Sequence, residues 1–331
     1  MPPLESVPNV SEGRRPAVFD RLVAALSGHR GATLLDASRD ADHDRAVFTL
    51  AGDAAGLHAA LLDLYRVALA EIDLRRHYGL HPRVGAVDVV PFVALGDTPP
   101  AAAVAAARDL AAQVASRFDL PVYLYEEAAS APHRRALAAL RRGGPEGLAA
   151  RLAASLAGPS EPGGDAGASG EAGPSPPDWR PDFGPPRLHP TAGATAIGAR
   201  PLLVAANALL DSADPEVARA VARAVRESSG GLLAVRALGL LLPSRGLGQV
   251  SMNLVDVSRT TPAAAFAAVL REAARLGARV LERELIGLVP QAALAGEGEE
   301  AERLREAWGG RTLEARLAAS PPGGPAVSEA P

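Results

Sequence analysis

Arg45-Ala46-Val47-Phe48-Thr49-Leu50-Ala51-Gly52-Asp53-Ala54-Ala55-Gly56-Leu57-His58-Ala59-Ala60-Leu61-Leu62 is the stretch from which the fold is read. Over Arg45–Leu50 the side chains alternate, the two-residue period of a strand covered on one face. From Ala54 the apolar residues return at intervals of three and four as far as Ile72, the period of a long amphipathic helix. Upstream, Asp36–Asp44 reads as a polar turn and Thr33–Leu35 as a strand. Before them lie a helix over Pro16–Leu26, with apolar Val18, Leu22, Val23 and Leu26, and a short strand over Glu5–Val10. Downstream, Val84–Val93 is a buried strand. The order is β-α-β-β-α-β, a split βαβ unit. Thr98 and Pro99 then open another helix, and Pro121–Tyr125 is an edge strand.

The second half runs through the same order. Leu202–Leu209 reads as a strand, and Asp214 caps a helix that opens on Pro215 and reaches about Glu227. Leu232–Leu241 and Gly248–Val257 form a hairpin, Thr261 and Pro262 start the next helix, and Val280–Val289 is the last strand. Proline suits a first helical position because its missing N–H has no intrahelical partner to lose there. Aspartate or threonine before it offers an oxygen to the first turn. The expected class is therefore α+β, with two ferredoxin-like (split βαβ) subdomains. Each sheet carries its helices on one face, so the bare faces most simply cover each other, and a cleft between them is a natural ligand groove. On this reading residues 1–157 form the N-terminal subdomain and 178–292 the C-terminal one. Residues 158–177 form a Gly/Pro/Ser-rich linker too poor in apolar surface to fold. Residues 293–331 are an extension, helical at Glu297–Trp308 and disordered over Ser320–Pro331.

Composition excludes several chemistries. A chain of 331 residues, 48% hydrophobic and 22% charged, suffices for two units of ordinary size. No apolar run reaches the length of a membrane span. Met1-Pro2-Pro3-Leu4-Glu5 shows no basic region before an apolar core, so the expected location is the cytoplasm, without a membrane partner. Cysteine is absent, which excludes disulfides, thiol nucleophiles and cysteine-held metals. All 34 basic residues are arginine, which excludes lysine Schiff bases and a P-loop lysine. With a net charge of −4, no basic block and 4% aromatics, nucleic acid is not an expected partner.

Chemistry concentrates in His77-Tyr78-Gly79-Leu80-His81-Pro82-Arg83-Val84-Gly85-Ala86-Val87-Asp88-Val89-Val90-Pro91-Phe92. Two histidines four residues apart sit in a Gly/Pro-broken loop at the mouth of a strand, where catalytic side chains are usually displayed. Imidazole both gives and takes a proton near neutrality. Two surface histidines beside a turn are the competing reading. Asp40, Asp42, His43 and Asp44 also offer metal-ligand types, but they fall between two strands, where aspartate favours a tight turn.

That run resembles the H-x-G-E-H-P-R-x-G-A-x-D-V-x-P-F signature of the formiminotransferase family. Val7–Arg14, Pro121–Tyr125, Asp182–Pro185, His189–Thr195, Gly198–Arg200, Gln249–Leu254 and Ile286–Pro290 resemble the family in the same order. The resemblance implies two split βαβ subdomains with a folate groove between them. It implies transfer of a formimino group from N-formimino-L-glutamate to N5 of tetrahydrofolate, a step of histidine degradation and one-carbon metabolism, with tetrahydrofolate as co-substrate and no metal. It implies His81 as the catalytic imidazole. Asn9 and the segment Gly184-Pro185-Pro186-Arg187-Leu188-His189-Pro190-Thr191-Ala192-Gly193 are implied to bind folate, with His77, Arg83 and Arg200 as further substrate contacts. The alternatives are a formyltransferase acting on N-formylglutamate and folate, and a folate-binding relative with little activity. A homodimer is left open. The chain departs from the family at Ser38, Asp44, Leu80 and Leu209. Leu80 removes a carboxylate beside His81 and is expected to alter the imidazole's pKa or orientation.

Overall fold

The computed structural model describes residues 3–158 and 177–320. The expected linker and the expected disordered tail, Ser320–Pro331, lie almost wholly outside the described residues. In chain order the first part carries β1 (Leu4–Ser6), β2 (Asn9–Val10), α1 (Pro16–Leu26), β3 (Ala32–Asp40), β4 (Arg45–Gly52), α2 (Ala54–Glu71), β5 (Val87–Ala94), α3 (Pro100–Phe118), β6 (Val122–Glu126), α4 (Leu137–Arg141), α5 (Gly144–Ala157) and β7 (Thr195–Ala199). The second part carries β8 (Val204–Leu210), α6 (Pro215–Val225), β9 (Val235–Leu242), β10 (Leu247–Leu254), α7 (Pro262–Arg275), β11 (Val280–Ile286), α8 (Glu299–Trp308) and α9 (Leu313–Ala319).

Alternation in β4 sorts its side chains by destination. Ala46, Phe48 and Leu50 are fully buried in the cluster formed with α1, α2 and α3, whereas Arg45, Val47 and Thr49 face a cavity on the other side. The same sorting occurs in β8 and β10. Val204, Ala206, Ala208, Val250 and Met252 pack with α6 and α7, and Ala205, Asn207, Ser251 and Asn253 face the cavity. The chain is thus a mixed α+β protein whose two sheets present their bare faces to one cavity. In the first sheet β3 pairs β4, and β1 and β2 lie between β4 and β5, all antiparallel; β7 and β6 follow in parallel. The second sheet runs β11-β8-β10-β9, antiparallel throughout. Asp214 and Thr261 cap α6 and α7 through Glu216 and Ala264 N–H groups, as their spacing before proline implies. No helix among the described residues is long and apolar enough to cross a membrane.

Two expectations need correction. The polar run Asp36–Asp44 is not all turn: β3 continues to Asp40, and only residues 41–44 turn. Asp36, Ser38 and Asp40 point into a polar cavity, so the apolar alternation that marks a strand over a dry core is missing. The boundary at 178 also does not match the sheets. Residues 195–199 insert between β5 and β6 of the first sheet, because a parallel strand there satisfies both neighbours' backbone groups. The second sheet begins only at Val204.

The C-terminal extension is built into the fold. Trp308 of α8 packs edge-on against Phe266, with centroids 5.7 Å apart. Leu313 N–H donates to Val289 O at 2.9 Å, and Val289 N–H donates to Arg311 O at 3.1 Å. Leu313 then enters a cluster with Leu35, Ala51, Val93, Leu95 and Leu288, drawn from both parts of the chain. A Leu313→Ala variant should lose about 2–5 kcal/mol of stability, the usual cost of a large-to-small core change. Urea unfolding measures this; an unchanged midpoint would show that the extension does not hold the two parts together.

Candidate active site

A cavity of about 500 Å³ separates the sheets. Its rim is bridged between them. Ser244, in the turn between β9 and β10, donates to Asp42 in the turn between β3 and β4, and Arg236 of β9 meets Glu126 of β6 at 3.2 Å.

The loop after α2 delivers His81 to this cavity. Arg83 holds the loop from inside. Its guanidinium donates to Gly79 O at 2.8 Å, to His81 O at 2.6 Å and to His77 Nδ1. Since His77 Nδ1 accepts from Arg83, its proton lies on Nε2, which donates to Asp44 O at 2.8 Å. Gly79 has no room for a side chain, because a Cβ there would stand 2.1 Å from His43 O. Asp44, at φ 46°, accepts from Gly13 N–H at 2.9 Å; Asp, like Asn, tolerates that backbone.

His81 is fixed through its other nitrogen. Nδ1 lies 2.8 Å from Pro82 O, which only accepts, so Nδ1 carries the proton and neutral imidazole keeps a lone pair on Nε2. Burial, then the charges of Arg45 and Arg141, push the His81 pKa well below its usual value, against a smaller opposing pull from Asp88. The His43 ring stands edge-on to it, with centroids 6.2 Å apart.

Behind His81 is an ion cluster. Asp88 is fully buried, and its Oδ2 accepts from Arg45 at 2.9 Å and from Arg141 of α4. Its Oδ1 accepts from Val84 N–H at 2.8 Å. Burial alone would raise the Asp88 pKa, but the two guanidiniums hold it far below the carboxylate range. Arg45 is lowered to about 10, first by burial and then by Arg141, and stays charged near neutrality. One carboxylate between two arginines leaves the cluster net positive.

The structure brings only some of the expected residues together. His81, Asn9 and Arg200 line the cavity. Asn9 takes Arg45 Nε–H on Oδ1 at 2.9 Å and donates to Val7 O, so it aims the arginine. His77 and Arg83 are not brought to the cavity; their polar atoms are spent on the loop. The segment Gly184–Gly193 does not line the cavity either. Its main chain buttresses the His81 loop from behind, through Thr191 O to Leu74 N–H and Ala192 O to Ala86 N–H. Residues 40–44 make no metal cluster among the described residues; His43 instead lines the cavity, and Asp40 accepts from it. Of the departures, Ser38 lines the cavity, Leu80 is 38% exposed, and Leu209 is buried opposite Gln249.

Sequence reasoning missed Arg45, Arg141 and Asp88 as a unit. Asp88 carried a signal, being a lone charge inside an apolar strand, where it must be paired. Arg141, in an arginine-rich helical stretch, carried none.

Two family models match the chain: the formiminotransferase domain, N-terminal subdomain, over residues 3–200, and the formiminotransferase domain over residues 205–300. Glutamate formimidoyltransferase of Streptococcus pyogenes serotype M1 is 38% identical over 296 residues, covering 89% of this chain and 92% of the relative. The enzyme of the same name from Thermoplasma acidophilum is 36% identical, covering 88% and 89%. Formimidoyltransferase-cyclodeaminase of Gallus gallus is 35% identical, and the match spans 89% of this chain but 52% of that protein.

The site's electrostatics generate two expectations. Asp88→Asn leaves two buried arginines facing each other and should cost about 3–5 kcal/mol; stability equal to wild type would mean the cluster is solvated. Glu5, 4% exposed on β1 and facing the cavity, is raised by burial to about 7. A raised carboxyl stabilises fully below its unfolded pKa and loses that contribution as pH rises to the folded value. Between about pH 4.5 and 7, wild type should therefore lose a few kcal/mol that Glu5→Gln retains. Parallel stability–pH curves for the two proteins would contradict this.

Proposed function

This chain belongs to the formiminotransferase family, and on that premise we propose that it moves a formimino group from N-formimino-L-glutamate to N5 of tetrahydrofolate, releasing glutamate and 5-formiminotetrahydrofolate. The observation that carries this reading is the His81 imidazole. It is held neutral, its Nδ1–H is committed to Pro82 O, and it lines the cavity between the sheets.

The chemistry follows from that arrangement. N5 of the folate attacks the formimino carbon, and His81 Nε2 takes the N5 proton as the new C–N bond forms. The resulting imidazolium returns the proton to the glutamate nitrogen, whose bond to the formimino carbon then breaks. The proton leaves one nitrogen and arrives on the other, so imidazole ends as it began. Arg45 and Arg141 make protonation at rest unfavourable, which keeps the base available. Their net positive cluster also favours a substrate carboxylate nearby. Asn9 serves by aiming Arg45, and Arg200 is a further cation on the wall. The segment Gly184–Gly193 serves by holding the His81 loop, and His77 and Arg83 by shaping it. The strand orders support a ferredoxin-like reading of each sheet: counting β1 and β2 as one strand, the β5-β1/β2-β4-β3 part of the first sheet and the whole second sheet both run 4-1-3-2 in their own chain order, with β7 and β6 added to the first sheet beyond β5.

The purified protein should form 5-formiminotetrahydrofolate from tetrahydrofolate and N-formimino-L-glutamate; no product would refute the reading. His81→Ala should lower turnover about 10²–10⁴-fold, and its folate affinity should change far less. The acid limb of wild-type kcat/KM should lie below 6.5, since the neutral form is the base. Leu80→Glu should move that limb upward, because a neighbouring carboxylate favours imidazolium. An acid limb at or above 6.5 in wild type would argue against His81 as the base.

A further inference from the structure

The cavity has two ends, and only one is occupied by His81 and its arginines. Along β4, Arg45 stands opposite Asp40, and Thr49 opposite Asp36. Four residue steps along the strand separate the two positions, roughly 13 Å. At the far end the wall includes Glu5, Asp36, Thr49, Arg311 and Arg316.

The two arginines there come from the C-terminal extension, beyond the last residue matched by the family models, and they are used differently. Arg311 is spent: it donates to Leu285 O at 3.0 Å and to Gly287 O at 2.9 Å, and stands 3.7 Å from Asp36. Arg316 lines the cavity, yet its guanidinium makes no side-chain hydrogen bond or ion pair among the described residues, and its Nε is buried without a partner. On the same wall the Thr49 hydroxyl, 1% exposed, also has no partner among the described residues. A half-buried guanidinium whose Nε is buried without a partner, and a buried hydroxyl without one, both in one cavity wall among the described residues, are costly unless something completes them. An anion with several acceptor oxygens does so. The backbone that carries Arg316 is set in advance, since α9 is capped by Thr312 and anchored by Leu313.

We propose that Arg316, with the Thr49 hydroxyl, forms a carboxylate-binding subsite at the end of the cavity remote from His81. This deepens the reading above, because both proposed substrates carry carboxylates. A ligand anchored there has its opposite end held at the imidazole, and the extension thereby becomes part of the substrate site. Asp36, whose buried Oδ2 also lacks a hydrogen bond among the described residues, feels both cations but pairs at 3.7 Å only with Arg311, so Arg316 is the cation left to meet the ligand.

The test is Arg316→Gln, with the unfolding midpoint as a check on folding and Arg316→Lys as the conservative variant. KM for one substrate should rise about 10–100-fold, the usual loss for a charge-assisted hydrogen bond. Turnover at saturation should stay near wild type, and lysine should recover part of the loss. A rise for tetrahydrofolate that disappears with tetrahydropteroate, which lacks the glutamyl group, assigns the subsite to the folate tail. A rise confined to N-formimino-L-glutamate assigns it to the donor. Unchanged KM for both, or a loss of turnover with KM unchanged, overturns the proposal. Calorimetric binding of 5-formyltetrahydrofolate and of glutarate keeps the test independent of turnover. If wild type catalyses no transfer but binds either ligand, and Arg316→Gln weakens that binding, the subsite stands while the transferase reading falls. If neither ligand binds wild type, or both bind the variant equally well, the subsite falls.

Discussion

A fully buried aspartate between two arginines sets the conditions for the rest of the site. Asp88 joins β5 to β4 through Arg45, to α4 through Arg141, and to the loop before its own strand through Val84. Removing charge from water is expensive, and such a cluster persists only when each partner is in place. Its geometry therefore fixes how the His81 loop leaves α2 and enters β5. Burial first, and then its two arginines, hold the nearby imidazole neutral. Structural and chemical roles reside in the same three side chains.

The two sheets meet across a polar gap instead of a dry core. Each already has an apolar face covered by helices, so the inner faces are free to carry Asp36, Arg45, Asn207, Ser251 and Glu284. Polar groups there reach one another or the cavity, as when Asn207 donates to Glu284 at 2.7 Å. What keeps the sheets apposed is mostly peripheral. The Leu313 cluster closes one side, and contacts such as Ser244 with Asp42 and Arg236 with Glu126 cross the rim. The rim contacts are exposed and individually weak, which suits a cavity that must admit two substrates and release two products. The apolar cluster is the durable part of the closure.

Glu5 illustrates the cost of building a site inside a fold. Its carboxyl sits on a short central strand, buried and facing the cavity, and burial raises its pKa to about 7. A hydrophobic residue there would stabilise the protein. The unsatisfied Thr49 hydroxyl and Arg316 guanidinium on the same wall have the same character. Local rules are broken where a protein meets a ligand, and these three groups mark one region of the cavity.

Periodicity in the chain was enough to read α1, α2, α3, α6, α7 and α8, the β9–β10 hairpin and the β-α-β-β-α-β order, because each rests on local patterns of apolar residues and caps; α4, α5 and α9 went unread. The ordered motifs were enough for the family, and the loop ending in His81 could be read as the reactive one. Tertiary structure alone decided the rest. Asp36–Asp40 looked like a turn, since polar side chains facing a polar cavity lack the alternation of a strand over a core. Residues 195–199 belong to the first sheet, because pairing partners distant in sequence leave no local trace. His77 and Arg83 turned out to hold the loop, as the same donors serve a backbone carbonyl or a ligand and only position separates the two. Arg141 and Arg316 reach the cavity from α4 and α9, helices the sequence reading did not pick out; three-dimensional proximity is what gives them a function.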